Sequence, residues 1–134
     1  MKSTYRLIKN FQGVVDNGRT HTVVCDLPKN IDGEDLGPTA LELAVMAYSG
    51  CIGTIYAKVA KKMRLDIEFL EVVMDAIKGP EDATVTSVKV DIYVKSPDSE
   101  EKLQKCIDLT LKTCPVGLIY DKASIPAEVI LHKK

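Results

Sequence analysis

The sequence predicts an α+β domain built from antiparallel sheets and a long, buried central helix, and three observations predict it. Residues 3–11 (STYRLIKNF) and 19–27 (RTHTVVCDL) alternate polar and apolar as half-buried strands do. Residues 37–63 (GPTALELAVMAYSGCIGTIYAKVAKKM) read as one apolar helix. A later stretch shows helical spacing broken at Cys114-Pro115. At 134 residues the chain fits one domain, residues 1–134, large enough to bury roughly two thirds of its unfolded surface without metal or disulfide staples.

The charge balance removes several function classes. Lys plus Arg number 18 against 19 Asp plus Glu, a net charge of -1, so no basic excess is present to hold a nucleic-acid backbone or an anionic membrane. The start, MKSTYRLIKNF, has no apolar core followed by a small-residue cleavage site, and no uninterrupted run reaches the roughly 18 apolar residues of a membrane span. The expectation is a cytoplasmic protein with neither nucleic-acid nor membrane partners. Cysteines at 25, 51, 106 and 114 lack the paired spacing of zinc sites, so neither a metal nor a cofactor is expected.

In chain order, the two N-terminal runs predict a hairpin turning through Asn17-Gly18, with Cys25 as a buried structural thiol. Residues 28–38 form a long polar loop. Pro38 suits a first helical position, and Leu41, Ala44, Val45, Tyr48, Ile52, Ile55 and Val59 follow at helical spacing toward a basic end at Lys61 and Lys62. Apolar residues on its other sides too predict a helix buried nearly all round. Residues 66–78 and 83–95 are β-branched and alternating, which predicts two strands joined at Gly79-Pro80. Ser96-Pro97-Asp98 predicts a helix start with Ser96 as N-cap. Leu103, Cys106, Ile107, Thr110 and Cys114 share one face of it. Pro115 then opens a short helix, which puts Cys114 at a helix N-terminus, where unpaired N–H groups favour thiolate. AEVILHKK closes with a strand, giving the order β-β-α-β-β-α-α-β.

Cys51 stands among Ala47, Ser49, Gly50, Gly53 and Thr54, none large enough to wall in its sulfur. That setting points to a reactive thiol, although a cysteine on a core helix more often packs as a small hydrophobe. GPTALELAVMAYSGC (37–51) and TCPVGLIYDKA (113–123), in this order of elements, resemble the OsmC/Ohr family of thiol peroxidases. The loop and helix start GEDLGPTALEL is similar to the OsmC-like branch. The resemblance implies an OsmC-like fold, an intertwined homodimer with sites near the interface, and reduction of organic hydroperoxides, less efficiently of hydrogen peroxide.

The resemblance also implies roles. Cys51 matches the peroxidatic cysteine, whose thiolate attacks the O–O bond and becomes a sulfenic acid. Cys114 matches the resolving cysteine, which closes a Cys51–Cys114 disulfide for an external thiol or dithiol to reduce. Arg19 matches the family's activating arginine; a nearby guanidinium stabilises a thiolate and offers several donors to the peroxide. Glu42 is the candidate for that arginine's acidic partner, but the pattern departs here. Relatives show Asn-Pro-Glu ten residues before the cysteine, where this chain has Gly-Pro-Thr-Ala-Leu-Glu nine before. Nine residues of helix advance roughly 13 Å and turn about 900°, which sets Glu42 on the face opposite Cys51.

Two rival readings accompany the peroxidase. One is a non-catalytic dimeric binding module of the same fold for an apolar or thiol-reactive small molecule, which the displaced Glu42 keeps open. The other is a Cys-His hydrolase in which His21 acts as general base, for which the sequence supplies no orienting third group. Tyr48 and Tyr56 are candidates to line an apolar substrate pocket, or else ordinary core tyrosines.

Overall fold

The computed structural model describes residues 1–134, which form two compact units, Met1–Ala44 and Val45–Lys134. The N-terminal unit is a three-stranded antiparallel meander of β1 (Thr4–Lys9), β2 (Gln12–Asp16) and β3 (Thr22–Cys25). The sequence reading has two strands here. The extra one arises because Lys9 pairs with Gln12, so the chain reverses through Asn10 and Phe11, with Asn10 in the left-handed region at φ 49°. Asparagine tolerates that conformation better than most residues. The Asn-Gly turn is real and joins β2 to β3: Gly18 has φ +70°, and its N–H donates to Asp16 Oδ1 at 2.8 Å.

Loop 27–38 is organised by Asp26, a buried carboxylate that accepts N–H bonds from Leu27, Glu34 and Leu36. These donors hold its carboxyl below the usual carboxylate range against the opposing pull of desolvation, the largest single influence. The loop ends in a capping box. Thr39 Oγ1 accepts from the Glu42 N–H at 3.2 Å, and Glu42 Oε2 accepts from the Thr39 N–H at 2.7 Å. Helix α1 (Ala40–Met63) therefore starts after Thr39, and Pro38 lies outside it, its carbonyl accepting from the Asp26 N–H.

The second unit packs most of α1 with β4 (Phe69–Ile77), β5 (Ser87–Lys95), α2 (Glu100–Thr113), α3 (Pro115–Lys122) and β6 (Ala127–Lys133). Alternation on β5 turns Val88, Val90, Ile92 and Val94 into the core, opposite Leu103, Cys106 and Ile107 of α2 and Ile52 and Tyr56 of α1. The sheet order is β4-β5-β6, antiparallel between β4 and β5 but parallel between β5 and β6. The β5–β6 pair is the one departure from the antiparallel sheets expected. Two helices lie between β5 and β6, a crossover of the length that parallel pairing needs.

Of the burial expected nearly all round α1, as between a sheet and a second layer or subunit, a single chain supplies one side. The chain itself buries one stripe of it, Tyr48, Ile52, Tyr56 and Ala60, while Leu41 and Met46 stay exposed. By length and composition alone α1 is apolar enough to cross a membrane, with mean hydropathy 1.3. Its buried stripe instead belongs to the core cluster. The start of α2 moves three residues from the expected place. Ser99 caps it, accepting from the Lys102 N–H, whereas Ser96 accepts from the Asp98 N–H in the preceding turn.

Candidate active site

The Cys-Pro step fixes the first half of the site. Helix α2 ends at Thr113, and the Cys114 N–H still donates to Thr110 O at 2.8 Å. Pro115 disfavours helical geometry in the residue before it, and Cys114 takes φ -70°, ψ 109°. Cys114 thereby ends one helix and caps the next, its Sγ accepting from the Gly117 N–H at 3.4 Å.

Helix α1 supplies the other half. Cys51 is partly exposed and borders the core, and the Cys114 thiol donates to its sulfur across 2.9 Å. Both cysteines are free thiols. The pair singled out in the sequence, 63 residues apart, is thus in contact. Around Cys51 the small residues leave the surface open: a Cβ on Gly50 would meet nothing, and one on Gly53 would make only an ordinary contact with Val72.

The two sulfurs differ in environment. Cys114 is fully buried, and burial, followed by the hydrogen bond to Cys51, pushes its thiol up to about 11 from an ordinary 9.0. The Gly117 and Val116 N–H groups pull the other way and lose. The expectation that a helix start makes Cys114 a thiolate is therefore overturned: losing water outweighs the helix terminus. Cys114 is the sulfur kept protonated, and Cys51 is the one that accepts.

Two residues that sequence reasoning missed complete this pocket. Gly117 leaves little room for a side chain, since a Cβ there would lie 3.0 Å from Tyr48 Cε2 and press on the ring. Tyr120 packs against Tyr48 with centroids 4.5 Å apart and the rings tilted by 36°. Burial, then Cys114, Tyr120 and Cys51, raise the Tyr48 hydroxyl above its usual range. Beside Tyr48 and Gly117 opens a hollow of about 390 Å³, walled also by Leu111, Leu118, Ile125 and Val129. The available signal was the position of Gly117, three residues after an N-cap. Tyr56, by contrast, is a core residue whose buried hydroxyl finds no partner.

The remaining candidates belong to the N-terminal unit. Arg19 is exposed in the β2–β3 turn, where its N–H donates to Asn17 Oδ1 at 3.0 Å and its guanidinium forms no ion pair. Glu42 is occupied by the capping box and forms no salt bridge with Arg19. His21 meets the Asn17 side-chain amide at 3.2 Å. Cys25 is buried, and so is Cys106, whose thiol points at Tyr56 O at 3.7 Å. No three His, Cys, Asp or Glu residues gather as metal ligands would.

A two-sheet α+β fold carrying a contacting pair of free thiols, one open and one buried, defines the class. The OsmC family model, described as OsmC-like protein, matches residues 33–129, and the chain belongs to that family. Solved structures share the fold at low identity. An OsmC-like protein from Mycoplasma pneumoniae is 18% identical with TM-score 0.82, covering 98% of this chain and 95% of that one. The organic hydroperoxide resistance protein OsmC of Legionella pneumophila is 10% identical with TM-score 0.71, covering 98% and 96%. The organic hydroperoxide resistance protein OhrB of Bacillus subtilis is 20% identical with TM-score 0.63, covering 99% and 96%. Among curated protein sequences none matches this chain.

Proposed function

We propose that the chain is a cysteine-based peroxidase that reduces organic hydroperoxides, and hydrogen peroxide less efficiently, in defence against oxidative stress. The observation that carries this reading is the 2.9 Å contact between an accessible Cys51 and a buried, protonated Cys114. The Cys51 thiolate attacks one peroxide oxygen, the O–O bond breaks, and the alcohol leaves with a proton, so that Cys51 becomes a sulfenic acid. The Cys114 sulfur then attacks the Cys51 sulfur. The S–S bond forms, and the hydroxyl departs as water with the Cys114 proton. A thiol or dithiol reductant returns both cysteines with two electrons. Arg19, whose guanidinium is not committed to an ion pair, is assigned the activating role by the family resemblance.

The protein is proposed to act as a homodimer in the cytoplasm. Support for the dimer comes from the apolar side chains that the N-terminal unit leaves exposed, among them Tyr5, Leu7, Ile8 and Phe11, and from the exposed faces of α1. Glu42 favours one second reading. Its carboxylate is taken up by the capping box, which supports a dimeric binding module without turnover.

One experiment separates the two. Reduced protein is given cumene hydroperoxide while peroxide and free thiols are counted, with Cys51→Ser, Cys114→Ser and Arg19→Ala in parallel. The peroxidase consumes peroxide and loses two thiols per chain, Cys51→Ser is inert, and Arg19→Ala is slowed. Peroxide left intact, or a Cys51→Ser rate equal to the parent, sinks the proposal and leaves the binding module.

A further inference from the structure

We infer that the reductant enters at Cys51 alone: an external thiolate attacks the Cys51 sulfur of the Cys51–Cys114 disulfide, and Cys114 is the leaving sulfur. The inference rests on the peroxidase reading only for its physiological setting, because the disulfide can be formed with any two-electron thiol oxidant. Cys114 has no exposed surface and belongs to the second unit's core cluster, which also holds Tyr48, Ile107 and Tyr120. Assembly into an oligomer only adds cover, so no association of copies opens Cys114. Cys51 borders the same core but keeps part of its surface, next to a Gly50 with open space around it.

Thiol–disulfide exchange depends on access and on which sulfur is attacked as well as on leaving-group acidity. Acidity by itself opposes this assignment, since burial pushes the Cys114 thiol up and makes it a poor leaving group. Access decides it, because an attacking sulfur must approach along the S–S axis, and the Cys114 end of that axis lies in the core. The departing Cys114 sulfur is not left bare: the Gly117 N–H already points at it from 3.4 Å.

The thiolate RS⁻ forms a bond to Cys51 Sγ, the Cys51–Cys114 bond breaks, and its electron pair leaves on Cys114, which then takes a proton. A second thiolate attacks the R–S sulfur of the mixed disulfide, releasing RSSR and Cys51 as thiolate. Two reductant thiols are oxidised and one protein disulfide is reduced.

The test uses full-length protein oxidised with diamide. Excess 2-mercaptoethanol is added, the reaction is quenched in acid at short times, and mixed disulfides are mapped by mass spectrometry. The adduct is expected on Cys51; an adduct on Cys114 in comparable amount overturns the inference, as does failure of diamide to form the disulfide. If Cys114 returns too quickly for any adduct to be collected, single-thiol variants decide. Cys51 in Cys114→Ser should react with a disulfide reagent (5,5′-dithiobis-2-nitrobenzoate) at least about tenfold faster than Cys114 in folded Cys51→Ser, since rate follows access. Equal rates overturn it. Cys51→Ala replaces Cys51→Ser should the latter melt early. A chain that exchanges at Cys51 yet consumes no peroxide keeps this inference while the peroxidase reading falls.

Discussion

The buried thiol should make the protein lose stability as pH rises past 9. In the folded chain Cys114 holds its proton up to about 11, whereas an unfolded chain releases it near 9.0. Between those values the folded state binds more protons than the unfolded state, so the slope of unfolding free energy against pH is negative. The contribution is fully present below pH 9, declines above it and is gone once pH passes 11. A shift of two units corresponds to about 3 kcal/mol as a ceiling, at roughly 1.4 kcal/mol per unit. The perturbation that isolates it is Cys114→Ala, compared with the parent under a phosphine reductant. Urea denaturation at pH 7.5, 9, 10 and 11 gives the difference in unfolding free energy, in which the other titrating groups largely cancel. Removing a buried thiol costs stability at pH 7.5, and the gap should narrow steadily from pH 9 to 11. A gap that stays flat, or widens, over that interval would refute the claim that burial controls this sulfur.

Three further outcomes are expected. Gly117→Ala sets a Cβ 3.0 Å from the Tyr48 ring, which Tyr120 backs; overpacking of about 1–3 kcal/mol should outweigh the roughly 1 kcal/mol gained by removing a helical glycine, so the urea midpoint falls, and a rise contradicts it. Glu42→Gln retains a capping-box acceptor and should cost well under about 1 kcal/mol, while Glu42→Ala should cost about 1 kcal/mol with little change in Cys51 alkylation rate. A large loss of peroxide turnover in both variants would instead make Glu42 part of the chemistry. Cys114→Ser should accumulate Cys51 sulfinic acid under excess peroxide, seen as a 32 Da gain expected to be about tenfold scarcer in the parent, where the resolving sulfur is already in contact.

Much of this fold was written locally. Cys114-Pro115 marked the joint of two helices because proline restricts its predecessor, and alternation on 87–95 showed which face of β5 enters the core. The thiol pair was legible through small residues in one helix and a Cys-Pro step at the next. Other features depend on partners distant in sequence. β2 is five residues long and declared only by its pairing with β1 and β3. The parallel register of β6 on β5 depends on where the α2–α3 crossover delivers the chain. Ser96 and Ser99 are equally good caps by residue type, and Ser96 is taken up by the Asp98 N–H while Ser99 caps α2. The state of Cys114 was misjudged because a helix terminus is visible in sequence while the loss of water around one sulfur is not.

The contact between Cys51 and Cys114 also bears on how firmly the chain holds together. A bond there would close a loop of 63 residues, binding the middle of α1 to the joint of α2 and α3. Restricting the unfolded chain by a loop of that size is worth about 4 kcal/mol on the chain-entropy account. The oxidised protein would then be the sturdier one, with each cycle of chemistry tightening and loosening the same scaffold. The thiol balance of its surroundings would be recorded in its resistance to heat and to proteases.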